Sequence, residues 1–272
     1  MLSLEDKFNF EKLHNNFCKS VLGVKKTASN IASKSELGRL PLSSFIKTQT
    51  LMYYFRIALN DINPFVKEAL IINKNLHSRG KYSWYTFIKN IADELDIDIS
   101  HIQEDKSFKK IKHSLKTKLK HDITKKYESK TLEKLSNLTD SSKLFLYSKL
   151  KTEIKLEEYL QKDNSFINRQ MMSKFRLSDH ILKIEMGRYQ NIPREQRLCT
   201  QCSVIDDEYH FFFNCKINGS IRDNFLSKIK QNNPNFSEYI LPFDKLKLVL
   251  NPQFELLPNV CDFIKQSLEL RK

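Results

Sequence analysis

The chain has 272 residues, 40% of them apolar and 11% aromatic, which is enough to bury a core in water and too polar for a membrane protein. Only 5 Gly and 7 Pro are present, so a dinucleotide fold, a P-loop enzyme or a turn-rich β-barrel would lack the glycines its tight turns require, and a mainly α-helical body is expected. Lys and Arg number 46 against 32 Asp and Glu, and the net charge of +14 predicts attraction to a polyanion, nucleic acid before any acidic small molecule.

The amino terminus shows no basic stretch followed by an apolar run, and no apolar run approaches the roughly 18 residues that cross a bilayer. An intracellular chain, in nucleus or cytoplasm and without a membrane partner, is the expectation. In chain order, residues 8–24 carry Phe10, Leu13, Phe17 and Val21 at near-helical spacing and stop at Gly23, a C-cap. Residues 31–37 read as a short helix closed by Gly38, Pro41 can open a third helix running to Ala58, and Pro64 a fourth. Residues 82–95 repeat the pattern around Trp84, Phe87, Ile88 and Ile91, so residues 1–100 read as a helical bundle.

Between Lys106 and Lys130 stand ten lysines and two acids, while Phe108, Ile111, Leu115, Leu119, Ile123 and Tyr127 recur every three or four positions. That is a basic amphipathic helix whose apolar stripe packs on a core. Its outward lysines, Lys109, Lys110, Lys112, Lys116, Lys118 and Lys120, are either a solvated face or a phosphate-binding one, and both can hold together. Further helices are expected over 142–159 and 164–176, and a terminal one from the stripe Leu256, Leu257, Val260, Phe263, Ile264 and Leu268, with Cys261 buried on it as a small hydrophobe.

The strongest chemical signal is Cys199, Cys202, His210 and Cys215, spaced C-x2-C-x7-H-x4-C. Two cysteines two residues apart can turn their sulfurs to one point, and a later His and Cys complete the four N/S ligands of tetrahedral zinc. A filled coordination shell leaves no place for water or substrate, so the site is structural and no catalytic residue is assigned. A redox dithiol is the alternative. The module is expected as a short β-hairpin followed by a helix, with Asp206 and Asp207 capping that helix and Glu208 orienting the His210 imidazole. Some of Phe211, Phe212 and Phe213 are expected to pack beneath it as a small core, with base stacking by an exposed one as the alternative. Upstream, Arg188, Tyr189, Arg194 and Arg197 suit single-stranded nucleic acid, and a salt-bridged surface would use the same residues. His14, His77, His101, His113, His121 and His180 have no cysteine or acid constellation in sequence.

The runs from Arg176 to Tyr189, Ile192 to Cys202 and Asp207 to Cys215 resemble the C-terminal region of reverse transcriptase polyproteins from animal non-LTR retrotransposons. The segments from Phe17 to Ala32 and Glu36 to Leu42 resemble the part that follows the polymerase thumb in such elements. The resemblance covers most of the chain, and the cysteine–histidine segment is its most specific part. It implies a zinc-binding segment, Cys199, Cys202, His210 and Cys215, that handles RNA or target DNA beside a reverse transcriptase domain in cis or in trans. The seven residues between Cys202 and His210 depart from the four of retroviral nucleocapsid knuckles, so base recognition of that kind does not carry over. The palm aspartates of a polymerase are missing: the one Asp-Asp, at 206 and 207, falls inside the zinc loop. No endonuclease carboxylate constellation is found either.

These observations divide the chain into a helical post-thumb-like region (1–100), basic amphipathic helices (101–178), a zinc-binding module (179–232) and a helical tail (233–272). Three functions follow: a zinc-stabilised RNA- or DNA-binding region without catalysis of its own is the leading one, a zinc-scaffolded protein-interaction module the second, and an enzyme, either an unrecognised nuclease or a remnant that completes a polymerase in trans, the third.

Overall fold

The computed structural model describes residues 4–59, 63–99, 108–139, 142–161, 165–232, 236 and 241–271, and the side chains of 4–8, 108, 110, 111 and 254 fall outside this description. His101 lies outside it too. The described residues are mainly helical. They form two compact units, Met1–Glu11 with Leu40–Thr131 and Lys12–Arg39 with Leu132–Lys272. The unit boundaries fall inside α1 (Leu4–Leu22) and α6 (Phe108–Ser136), whereas the four sequence segments follow chain order. Among the described residues, no helix is long and apolar enough to cross a membrane.

The first unit is built on α3 (Leu42–Leu59), α4 (Pro64–Ser78), α5 (Trp84–Glu94) and the forward part of α6. Asn63 caps α4, its side chain accepting from the Phe65 N–H, and Pro64 fills the first helical position, where its missing N–H costs nothing. Ser83 and Thr86 form a reciprocal capping box at α5. The core gathers Leu51, Tyr54, Phe55, Ile88, Ile91 and Ala92 with Leu119 and Ile123 of α6, and Leu115 and Tyr127 pack at its edge. The expected stripe of α6 thus covers a core, and the side chains of Phe108 and Ile111 lie outside the described residues.

The second unit joins α2 (Asn30–Glu36), α7 (Phe145–Leu150), α8 (Glu158–Gln161), α9 (Phe166–Arg176), α10 (Lys183–Tyr189), α11 (Gly219–Asn232), α12 (Pro242–Leu250) and α13 (Leu257–Glu269). Gly23 ends α1 as expected, with Gly23 N–H bonded to Ser20 C=O and Val24 N–H to Lys19 C=O. The terminal helix packs inward: Leu257, Val260, Cys261, Phe263 and Ile264 are buried with Phe175, Phe211, Phe212 and Phe225. Phe225 and Phe263 stack at 4.4 Å between centroids.

Two expectations are corrected. The helix expected over 142–159 is broken: α7 ends at Leu150, and residues 151–157 run beside the end of α2, with Glu157 N–H bonded to Glu36 C=O and an isolated antiparallel bridge between Leu37 and Leu156. Tertiary pairing overrides local periodicity there. It requires Gly38, at φ +60°, because a Cβ on that residue would stand 2.4 Å from the Leu156 nitrogen. The expected β-hairpin at the cysteines is not formed either; among the described residues only the single bridge Leu198–Ile205 remains. The chain reverses so tightly, with Ser203 at φ 54°, that pairing ends after that bridge.

A break of this kind needs strong tertiary partners, and Arg176 supplies them. Its buried guanidinium meets both oxygens of Glu36, lies 2.8 Å from Glu157 Oε2, donates to the Leu250 carbonyl at 2.7 Å and also bonds Asn251 Oδ1. Tyr159 donates to Glu36 at 2.8 Å and lies under the guanidinium at 5.5 Å. Lys151 reaches Glu157 and the Lys155 carbonyl. Each buried charge of this cluster is therefore paired, which the low-dielectric interior demands.

Candidate metal centre and basic surfaces

The cysteine knuckle begins where Cys199 N–H donates to Val204 C=O at 2.8 Å and Ser203 N–H to Cys199 C=O at 3.0 Å. These bonds fold Cys199 and Cys202 toward the same side. Asp207 accepts from the His210 N–H at 2.8 Å, acting as the expected cap. The following turn, His210–Asn214, is π-helical: Cys215 N–H bonds His210 C=O at 2.8 Å. This wide turn returns Cys215 to the side of His210 while Phe211 and Phe212 point into the core, both fully buried; Phe213 is half-buried.

One candidate ligand atom from each of Cys199, Cys202, His210 and Cys215 lies within 4.8 Å of all the others. Zn–S bonds of about 2.3 Å in a tetrahedron separate two sulfurs by roughly 3.8 Å. The Sγ atoms of Cys199 and Cys215 are 3.9 Å apart. The donor chemistry fits as well: both ring nitrogens of His210 are buried and neither has a hydrogen-bond partner, a costly arrangement unless one of them binds something else. Burial pushes the His210 pKa down, holding the imidazole in the neutral form that ligates. Burial raises the Cys215 thiol, whereas at Cys202 the Lys216 N–H and the neighbouring cysteines outweigh burial and pull the thiol down. The Lys216 N–H stands 3.3 Å from Cys202 Sγ. The four residues are thus close enough to hold one metal ion, and their geometry is compatible with zinc.

Glu208 does not orient His210. Its carboxylate is 2.9 Å from Nε2 of His180, which sequence spacing left without an acid partner because the two residues lie 28 positions apart. Asp206 caps a different helix from the one expected: its Oδ2 accepts from the Lys183 N–H of α10 at 3.0 Å and its Oδ1 from Arg271 at 2.8 Å. Arg271 also places Nη2 3.0 Å from Cys215 Sγ and lies over the Phe211 ring at 4.8 Å. Its place 56 residues beyond Cys215 in the chain gave no local sequence signal.

Five lysines expected to meet phosphate, Lys109, Lys112, Lys116, Lys118 and Lys120, are exposed along α6, and none makes an ion pair among the described residues. The side chain of Lys110 lies outside the described residues. The arginines near the knuckle are used differently. Arg188 bonds the buried carboxylate of Glu185 at 2.9 Å and the Ser142 carbonyl at 3.3 Å. Arg197 donates to the carbonyls of Ile192 and Ile184 at 2.8 and 2.9 Å, tying the knuckle to α10. Arg194 is half-buried, with Nε unbonded. Tyr189 is exposed and accepts from Lys143 at 2.8 Å. The lysines and these arginines belong to different units.

No protein-family model, curated protein or solved structure matches the chain.

Proposed function

We propose that the chain is a zinc-stabilised nucleic-acid-binding region, as its resemblance to the C-terminal part of non-LTR retrotransposon reverse transcriptases implies. Cys199, Cys202, His210 and Cys215 hold one structural zinc ion, and the lysines of α6 attract the backbone of RNA or DNA. Zinc at such a site fixes the fold of the knuckle and supplies no reactive position. The observation that carries the nucleic-acid reading is the row of five exposed lysines without acidic partners among the described residues, on a chain of net charge +14. Lysines in internal ion pairs would be neutralised already, whereas these are free to replace counterions on a phosphate backbone.

The test is binding of a labelled single-stranded RNA across a salt series. Affinity falls steeply with salt, and replacing Lys109, Lys112, Lys116, Lys118 and Lys120 by Gln flattens the slope of log K against log salt by about 0.7 per lost phosphate contact. An unchanged slope overturns the reading.

One observation favours the alternative, a protein-interaction module. Helix α4 exposes Phe65, Ile71 and Ile72, at 78, 57 and 52% of their full surface. That reading gains if nucleic-acid affinity is no greater than that of another protein of +14 charge.

A further inference from the structure

A site with three thiolates and a neutral imidazole around a divalent ion carries a net charge of −1. Burying that charge requires a compensating group. Arg271, just beyond the end of α13, is in position: its guanidinium is largely shielded from solvent, and both of its hydrogen-bond partners, Cys215 Sγ and Asp206 Oδ1, belong to the knuckle. Asp206 in turn caps the start of α10 through the Lys183 N–H.

We infer that Arg271 is a positioning residue of the metal centre, one that tightens metal binding and makes docking of the α13 terminus depend on the bound ion. The inference rests on the metal reading above. With the site empty, the charged partner of Arg271 is the Asp206 carboxylate at 2.8 Å. With the ion bound, the net −1 of the filled site stands beside the guanidinium, and the N–H···S contact at 3.0 Å becomes charge-assisted. The guanidinium therefore stabilises the loaded state more than the empty one. Coupling is reciprocal: whatever Arg271 adds to metal affinity, the metal returns as tighter docking of the helix end. The sequence pattern of the four ligands contains no trace of this, because the partner arrives from the other end of the unit.

The experiment uses the full chain with zinc and with cobalt. Zinc affinity from competition with a chromogenic chelator is expected to fall about 10- to 100-fold in Arg271→Gln, the usual cost of losing an outer hydrogen-bond partner of a metal site. Arg271→Lys, which keeps the charge but cannot bridge both acceptors, falls between Arg271→Gln and the wild type. Lys265→Gln, an exposed change on the same helix, leaves affinity unaltered. In the cobalt-loaded protein, loss of the N–H···S bond raises the sulfur donor orbitals and shifts the thiolate-to-cobalt charge-transfer band to longer wavelength, a change that a merely structural role for Arg271 would not produce. Independently of any variant, stripping zinc from the wild type should speed hydrogen exchange at the last turn of α13 together with the knuckle. A wild type that binds neither ion overturns the metal reading and the inference together. A wild type that binds zinc while Arg271→Gln retains its affinity within twofold, or whose α13 terminus exchanges at the same rate with and without zinc, overturns the inference alone.

Discussion

Arg176 and Glu36, 140 positions apart in the chain, face each other with both side chains wholly shielded from solvent, Nη2 standing 3.3 Å from Glu36 Oε2. The pair holds α2 against α9, and through Glu157 it holds the extended segment that interrupts the helical periodicity after Leu150. Arg176→Met leaves two carboxylates facing the interior without their shared cation. The expected loss is about 3–5 kcal/mol of unfolding free energy by urea titration. Glu36→Gln, which keeps acceptor capacity beside the guanidinium and Tyr159, is expected to cost less. Losses under about 1 kcal/mol for Arg176→Met would show that the network contributes little.

Gly38→Ala is expected to destabilise the second unit by at least about 1–2 kcal/mol, the cost of left-handed backbone for a residue with a Cβ. The close backbone of Leu156 adds to that cost, since a rigid main chain has less freedom to give way than a side chain end. A melting temperature equal to that of the wild type would show that the segments around 38 and 156 separate at little cost.

The metal reading predicts one zinc ion per chain by elemental analysis, with Cys199→Ser, Cys215→Ser and His210→Ala each abolishing tight binding. Zinc affinity is expected to weaken as the pH falls, because thiolates and imidazole must lose their protons to ligate. Burial moves the His210 contribution to this loss below the ordinary imidazole range. A metal content below one tenth of an equivalent after reconstitution contradicts the assignment.

Cysteine reactivity separates the thiols. Cys261 is buried in α13, and burial pushes its thiol up to about 12, so the nucleophilic thiolate is scarce at neutral pH. Native protein should therefore leave Cys261 unalkylated at pH 8, and unfolding should expose it. In the metal-free protein, Cys202, partly exposed and with its thiol pulled down, reacts first, and zinc protects it. Mass spectrometry after timed iodoacetamide treatment reads the order directly; Cys261 reacting ahead of Cys202 would contradict it.

Local chemistry was legible wherever neighbours in sequence are also neighbours in space. Gly23 ends α1, Pro64 opens α4, the stripe of α6 faces a core, and the four candidate ligands converge because their spacing suits a knuckle and one wide turn. What escaped was decided by distant partners. Residues 151–157 leave the helix to pair with the end of α2, and Glu208 meets His180 instead of His210. The hairpin shrinks to one bridge because the reversal at Ser203 takes up the residues a ladder would need. Arg188 and Arg197, for which a phosphate-binding and a salt-bridged surface were both expected, bond Glu185 and backbone carbonyls. A residue's type shows what it can bind, and only the fold shows whether a closer partner has taken it.

The second unit is assembled from Lys12–Arg39 and Leu132–Lys272, with Leu40–Thr131 interposed along the chain. A ribosome making this protein therefore releases the whole interposed stretch before Glu36 can meet Arg176. Until then α2 keeps an unneutralised carboxylate, and its apolar side awaits a covering that emerges only later in translation. Residues 12–39 thus wait for their partners while the interposed unit has the opportunity to fold first.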